Sequence, residues 1–190
     1  MRSAPLPPPS RPATYADLEA LPDNVIGEII HGALVASPRP AIRHARASSV
    51  LGSDLGGPFD RGRGGPGGWL ILFEPELHLG PDVLVPDLAG WRRERVPTLP
   101  DVAAMTLAPD WVCEVLSPST EAIDRAAKME IYAREAVSHL WLVNPKLQTL
   151  EIYTRAETGW LRLAAHQGDA KVRAVPFDAI ELELDGLWSV

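Results

Sequence analysis

A carboxylate inside an apolar strand is the feature that most constrains how this chain can fold. Glu114 lies in W-V-C-E-V-L at residues 111–116, a run that predicts a buried β-strand. An ionised carboxylate without a partner is costly in such surroundings, so it is normally paired, hydrogen-bonded or bound to a metal ion. Of these options, a metal site makes the sharpest prediction.

The segment after this strand predicts a helix that presents three chemical groups on one face. S-P-S-T at residues 117–120 ends the strand and offers a helix cap. Asp124, Lys128 and Tyr132 then follow at i, i+4 and i+8, which places them along one helical face. A strand carboxylate is therefore followed by an acid, a base and a phenol in one line.

Length and composition are ordinary for a single globular domain. The chain has 190 residues, and we expect residues 14–190 to form one domain behind a flexible, Pro-rich leader at residues 1–13. The single cysteine, Cys113, excludes a disulfide within the chain and favours the reducing cytoplasm. No apolar run approaches the roughly 18 to 20 residues that cross a bilayer, so we expect no membrane partner.

The net charge of the chain argues against one class of nucleic-acid-binding protein. A net charge of -7 argues against a protein that coats nucleic acid through a broad basic surface, because phosphate contacts need clustered Lys and Arg. A local basic cleft stays compatible with this charge. Arg39, Arg43 and Arg46 could supply it together with R-R-E-R at residues 92–95, or each group could be ordinary solvated surface.

The order of predicted elements indicates a mixed α/β fold with a central sheet and helices on either side of the acid-bearing strands. The N-terminal part predicts a short helix at residues 14–21, a β-hairpin around His31 and Gly32, a helix at residues 41–55 that carries His44, and a loose loop at residues 56–68. The remainder predicts strands at residues 69–79, 82–91, 111–116, 139–143, 150–154 and 160–164, a helix at residues 124–137 and a small terminal strand at residues 180–188. We expect the loop at residues 56–68 to be mobile and close to the substrate approach.

Acids on neighbouring strands predict the chemistry of the site. The second of the predicted strands ends near Asp87, and Asp87 and Glu114 converge with Glu74 or Glu76 if adjacent strands carry these acids at neighbouring ends. Such a cluster repels itself unless a cation neutralises it, and carboxylate oxygens suit Mg²⁺ or Mn²⁺. A metal ion there would polarise a phosphoryl oxygen and lower the pKa of a bound water, with Lys128 placed to stabilise developing charge.

Several motifs taken together resemble a known family. They are G-E-I-I-H-G-A-L-V-A-S-P-x-P followed by His44, V-P-D ending at Asp87, W-V-C-E-V-L-S-P-S-T, D-x-x-x-K-x-x-x-Y and H-L-W-L-V-N-P. This set is similar to the bacterial Uma-type restriction endonucleases of the PD-(D/E)XK nuclease-like superfamily, over residues 15–153. The resemblance implies a restriction-endonuclease-like fold: a mixed central sheet flanked by helices, with an N-terminal β-hairpin.

The resemblance also implies roles for individual residues. Asp87 is similar to the metal-binding aspartate of the family and Glu114 to its second acidic ligand. The superfamily pattern has lysine two residues after the glutamate, where this chain has Leu116, so Lys128 on the following helix is the candidate catalytic replacement. The resemblance favours Glu76 as a third metal ligand. Further candidates around the metal are Glu28, His44, Asp124, which would orient Lys128, and Tyr132, which could equally pack against the sheet.

The sequence therefore predicts a metal-dependent endonuclease that hydrolyses DNA with Mg²⁺ or Mn²⁺. A homodimer is expected because two-fold-related sites suit the cutting of two strands. Two alternatives remain open: a non-catalytic nucleic-acid-binding or assembly module with a degenerate nuclease site, and a metal-dependent hydrolase of a small phosphorylated substrate. Metal-dependent cleavage of DNA distinguishes the first prediction from the non-catalytic module.

Overall fold

The structure, a computed structural model, describes residues 11–189, so residues 1–10 of the expected leader lie outside the described part. The N-terminal elements are α1 (Tyr15–Glu19), β1 (Val25–Ile30), β2 (Ala33–Pro38), α2 (Ile42–Leu55), β3 (Trp69–Phe73), β4 (Leu77–Leu79), β5 (Asp82–Leu84) and β6 (Leu88–Arg92). The C-terminal elements are β7 (Trp111–Val115), α3 (Glu121–Ile123), α4 (Met129–Arg134), β8 (His139–Asn144), β9 (Thr149–Ala156), β10 (Gly159–Gln167), β11 (Lys171–Val172), β12 (Leu182–Glu183) and α5 (Asp185–Trp188). Within residues 11–189, no helix has both the length and the apolar character needed to span a membrane.

Two sheets form the frame of the molecule. The larger sheet has six strands in the order β10-β9-β8-β7-β6-β3, with β7 and β8 parallel and the other neighbours antiparallel. The smaller sheet has four antiparallel strands in the order β2-β1-β5-β4 and includes the predicted N-terminal hairpin β1-β2. The mixed sheet flanked by helices confirms the predicted fold class.

Strand β7 is buried on both faces, and its alternation sorts the core into two layers. Trp111, Cys113 and Val115 pack in the layer that contains α2. Val112 packs in the other layer, with residues of α4 and the small sheet. Since side chains alternate along a strand, Glu114 faces the same side as Val112, toward α4.

The helix that follows β7 is continuous over residues 121–134, and we call it the site helix. It consists of α3, a π-helical turn (Asp124–Lys128) and α4. Its first turn is capped by the Ser117 carbonyl, which accepts the backbone N–H groups of Thr120 and Glu121. The predicted helix at residues 124–137 thus begins three residues earlier and ends at Arg134, and its π-helical turn carries both Asp124 and Lys128, as is frequent at functional sites.

Two runs that the sequence predicts as single strands are each divided in the structure. Residues 69–79 form β3 and β4, which belong to different sheets and are separated at Glu74, whose φ of 44° turns the chain. Residues 82–91 likewise form β5 and β6, since Pro86 has no N–H to donate within a strand. Asp87 therefore precedes a strand instead of ending one.

The Gly-rich segment at residues 56–68 is less irregular than its composition predicts, and it lies away from Asp87. Its first residues form a π-helical turn (Gly56–Asp60), in which Phe59 is buried against the Phe177 ring. The segment enters β3 at the end where Trp69 pairs with Arg92, whereas the opposite end of β6 adjoins Asp87. The expected position near the substrate approach is therefore wrong.

Candidate active site

A pocket of about 210 Å³ opens where β7 ends, between the small sheet, the start of α2 and the site helix. Most of the residues that the sequence predicts for the site converge there, although they come from five different elements or loops. The predicted residues that line the pocket are Glu28, His44, Asp87, Glu114, Asp124 and Lys128.

Asp87 is fixed in the pocket by contacts on both carboxylate oxygens. Its Oδ2 accepts the backbone N–H of Val115 at 2.7 Å, and its Oδ1 lies 3.2 Å from Nε2 of His44. Burial disfavours the charged imidazole, but the hydrogen bond and charge of Asp87 outweigh burial and raise the pKa of His44. The first turn of α2 thereby supplies an imidazole partner to the acid that precedes β6.

Glu114 is almost completely buried and is held by two groups of the site helix. Its Oε1 accepts the Tyr132 hydroxyl at 2.6 Å and lies 3.4 Å from the Lys128 Nζ. Burial raises the pKa of Glu114 well above its usual range; Lys128 opposes this shift, while Asp124 and other nearby acids add to it. Because burial and Glu114 also raise the pKa of Tyr132, the phenol stays protonated and remains the donor.

Lys128 is the central cation of the pocket. Its Nζ lies 2.9 Å from Glu28 Oε1, 3.3 Å from Asp124 Oδ1 and 3.4 Å from Glu114 Oε1, and its side chain is 5% exposed. Burial alone would lower the pKa of the ammonium, but the three carboxylates raise it above its ordinary value. Lys128 is therefore charged at neutral pH, and carboxylates of the protein surround its ammonium.

Glu28 connects the small sheet to this cluster. It lies within β1, is 4% exposed, and its Oε1 accepts the Val85 N–H at 2.9 Å in addition to contacting Lys128. Asp124 completes the cluster from the site helix, and burial raises the pKa of its carboxyl group. The small sheet and the site helix thus meet through ionic side chains.

The charges in the pocket do not balance among the described residues. Four carboxylates, those of Glu28, Asp87, Glu114 and Asp124, face the buried ammonium of Lys128, one imidazole and the exposed guanidinium of Arg39. The Oδ1 atom of Asp124 is buried and, within residues 11–189, has the Lys128 ammonium at 3.3 Å as an ion-pair partner but no hydrogen bond of good geometry. A divalent cation would neutralise this excess of negative charge.

Glu76 is the predicted metal ligand that the structure does not bring to the pocket. Its Oε1 accepts the Tyr15 hydroxyl at 2.9 Å and lies 2.7 Å from His78 Nε2, at the edge of the small sheet. In the described part of the chain, no three His, Cys, Asp or Glu side chains are arranged to hold a metal ion. Asp87 and Glu114 still fit one, because Mg²⁺ commonly binds one or two carboxylates, keeps several waters and takes further ligands from substrate phosphate.

Arg39 is the pocket residue that the sequence did not single out as part of the site. It lines the pocket from the turn between β2 and α2, whereas Arg92 lies at the far end of β6. The sequence signal was present, since S-P-R-P directly precedes the helix that carries His44. The proposed grouping of Arg39 with residues 92–95 in one cleft is not what the structure shows.

Comparisons with known proteins agree with this architecture. The model of the Uma2 family, described as "Putative restriction endonuclease", matches residues 12–185. The crystal structure of "a putative nuclease belonging to DUF820" from Anabaena variabilis superposes with a TM-score of 0.74 at 23% sequence identity, covering 93% of this chain and 98% of the other. No curated protein matches the sequence. At this level of identity, the structural match supports the fold alone.

Proposed function

Because this chain belongs to the Uma2 family of restriction-endonuclease type, we propose that it is a divalent-metal-dependent endonuclease that hydrolyses phosphodiester bonds of DNA. The observation that carries the proposal is the convergence of Asp87, Glu114 and Lys128 in one pocket. These residues come from the start of β6, from β7 and from the site helix. Their convergence supports a site built for charge chemistry, because buried acids and bases cluster mainly where function requires them.

In this proposal, Asp87 and Glu114 hold Mg²⁺ or Mn²⁺. When bound, such an ion polarises a phosphoryl oxygen and lowers the pKa of a bound water. The backbone N–H of Val115 and the imidazole of His44 hold the Asp87 carboxylate in place. The Tyr132 hydroxyl does the same for Glu114, so both acids are oriented before substrate arrives.

Lys128 acts in this proposal through Glu114. Its positive charge opposes the rise in the Glu114 pKa and so keeps that carboxylate available as a metal ligand. The usual superfamily position of the lysine is occupied by Leu116, which is 4% exposed and packs in the core beside Tyr132. Lys128 reaches the same acid from the site helix, which supports its assignment as the replacement.

Cleavage of supercoiled plasmid DNA tests the proposal. The wild-type protein should nick or linearise the plasmid with Mg²⁺ or Mn²⁺ and should leave it intact in EDTA. Asp87→Asn and Glu114→Gln should each slow cleavage on the order of a hundredfold or more, as for other lost electrostatic contributions. Glu76→Gln is the matched control and should cleave like wild type, because Glu76 lies outside the pocket.

Three results would contradict the proposal. Wild-type protein that cleaves no DNA with either ion would favour a non-catalytic binding or assembly module. Cleavage at the wild-type rate by Glu114→Gln would place the chemistry elsewhere. Hydrolysis of a small phosphate ester without cleavage of DNA would favour the small-substrate hydrolase.

We further propose that the protein acts in the cytoplasm and as a homodimer. The lone cysteine, Cys113, is fully buried in β7, which suits a compartment without disulfide formation. Two chains related by a two-fold axis would present two pockets to the two strands of a duplex. Light scattering of the purified protein should give the mass of two chains, whereas the mass of one chain would remove the dimer from the proposal.

A further inference from the structure

The pocket needs a cation for substrate phosphate, and Lys128 is poorly available for that role. An ammonium has three N–H donors. The Nζ of Lys128 lies within 3.4 Å of three different protein carboxylates, and the side chain is 5% exposed. A phosphate that reached Lys128 would have to displace one of these acids, so a direct contact between the protein and substrate phosphate calls for a different basic side chain.

Arg39 has the position and the free donors for this contact. It lines the pocket, its side chain is exposed, and one of its NH2 donors bonds the Asp23 carbonyl at 3.2 Å. Among residues 11–189 its guanidinium forms no ion pair with an acid. A guanidinium has five N–H donors in a fixed fork that matches phosphate oxygens, so most of this capacity remains available.

Two further arginines continue from Arg39 along the first turns of α2. Arg43 and Arg46 are exposed, lie three residues apart on the helix, and line a neighbouring cavity beside Pro145. Arg46 donates from Nε to the Ser189 carbonyl at 3.3 Å, and neither arginine is ion-paired in the described part of the chain. We call Arg39, Arg43 and Arg46 the arginine stripe.

Two arginines at the opposite end of the large sheet are ion-paired within the protein. Arg93 pairs with Asp60 at 2.6 Å, and Arg95 pairs with Asp110 at 2.7 Å. Their charges are satisfied within the protein. In a chain with a net charge of -7, Arg39 lines an acidic pocket without an acidic partner, and Arg43 and Arg46 follow it in the first turns of α2.

We propose that the arginine stripe is the surface that binds the DNA backbone, with Arg39 contacting the phosphate at the pocket and Arg43 and Arg46 contacting phosphates further along. This inference rests on the proposed nuclease function of the pocket. A stripe that extends along a helix fits a polymer of phosphates better than a single phosphate group. It also explains how an acidic protein could bring an anionic substrate to a cluster of carboxylates.

The salt dependence of DNA binding tests this surface. Binding of a fluorescein-labelled duplex would be measured by anisotropy over a salt series, with Ca²⁺ present and with gels to verify that the duplex stays intact. The affinity falls as salt rises, and each lost phosphate contact reduces the magnitude of the slope of log K against log salt by about 0.9. In the triple variant Arg39→Ala, Arg43→Ala, Arg46→Ala, the magnitude of the slope should therefore be smaller than in wild type by between about 2 and 3.

A matched control removes the same charge from the other end of the large sheet. Arg61, Arg63 and Arg155 are exposed, and the structure gives them no ion pair within residues 11–189. Changing these three to alanine should leave the slope at its wild-type value. Changing the arginine stripe to lysine should preserve most of the slope, which separates loss of charge from loss of folding.

The possible results separate the stripe from the nuclease function. An unchanged slope in the alanine triple variant, an equal loss of slope in the control triple, or no DNA binding by wild type would overturn the stripe. A reduced slope in the stripe variant alone would support it. If the stripe is supported while wild type cleaves no DNA, the proposed catalysis fails and the binding surface stands. If wild type cleaves DNA but the alanine triple variant has the wild-type slope, the catalysis stands and the binding surface fails.

Discussion

At the scale of single residues, the site is organised around an acid that the protein can only partly neutralise. Glu114 receives a hydrogen bond from Tyr132 and the charge of Lys128, yet burial keeps its pKa well above the usual range. Folding therefore costs free energy whenever this carboxylate is ionised without an additional cation. Groups that destabilise the fold in this way are common at functional sites, and natural proteins retain them at the expense of stability.

Glu114→Gln should therefore stabilise the metal-free protein, and more so at higher pH. The native Glu114 pKa is raised, so between the unfolded and native pKa values the native state binds more protons than the unfolded state. Wild-type stability consequently falls as pH rises through this window, whereas glutamine has no proton to lose. Thermal unfolding in EDTA should show a higher Tm for the variant, by roughly 2–4 °C for each kcal/mol gained.

The control for this prediction is an exposed acid. Glu157→Gln changes the same formal charge at an exposed position between β9 and β10, and its effect on Tm should be small at every pH. If Glu114→Gln lowered Tm throughout the pH range, the carboxylate would be a net stabiliser and the interpretation of its raised pKa would be wrong.

At the scale of elements, the site helix is attached to both sheets through one side chain. Lys128 contacts Glu28 on β1 and Glu114 on β7, and it also pairs with Asp124 on its own helix. Its native pKa is raised, so this contribution is fully present below the unfolded pKa and is lost as pH rises through the native value. The attachment therefore holds at all pH values at which a nuclease would be assayed.

Lys128→Met should destabilise the fold by about 3–5 kcal/mol, because it leaves buried carboxylates without their cation. Denaturant unfolding measures this loss. Adding Glu114→Gln to the same chain should recover part of it, since one of the uncompensated acids is removed. Lys146→Met is the control: Lys146 is exposed, and the change should stay within about 0.5 kcal/mol.

Equal stability of Lys128→Met and wild type would mean that the three carboxylates are protonated in the native state. The ammonium would then not be required to neutralise them. That outcome would also remove the argument that Lys128 keeps Glu114 ionised.

The elements show which parts of the structure the sequence could predict. The spacing of Asp124, Lys128 and Tyr132 placed these groups correctly on one helical face, because helix geometry is local. Glu76 could not be placed in the same way. The turn at Glu74 moves the chain from one sheet to the other, and no local pattern reports which sheet a three-residue strand joins.

The same limit applies to Asp87 and Arg39. The apolar run at residues 82–91 hides the break at Pro86, so the sequence placed Asp87 at the end of a strand instead of before one. Arg39 and Arg92 looked equivalent as surface arginines. Only the pairing of β3, β6 and β7 shows that they lie at different ends of the large sheet.

At the scale of the whole molecule, the pocket lies where the two sheets and two helices meet. Its lining includes residues from β1, β7, α2 and the site helix, so the site forms only when the complete fold assembles. The acids are collected in this pocket, Arg39 lines it, and Arg43 and Arg46 lie in the first turns of α2. This arrangement supports a protein that receives a cation inside and a polyanion at its mouth.

Calorimetric titration with Mn²⁺ measures whether Asp87 and Glu114 together hold one divalent ion. We expect wild type to bind one ion per chain, with release of protons and with affinity that rises with pH, because burial raises the Glu114 pKa and a proton then competes with the ion. Asp87→Asn and Glu114→Gln should weaken binding by at least roughly tenfold, whereas Glu76→Gln should not. The same Mn²⁺ affinity in wild type, Asp87→Asn and Glu114→Gln would contradict the account.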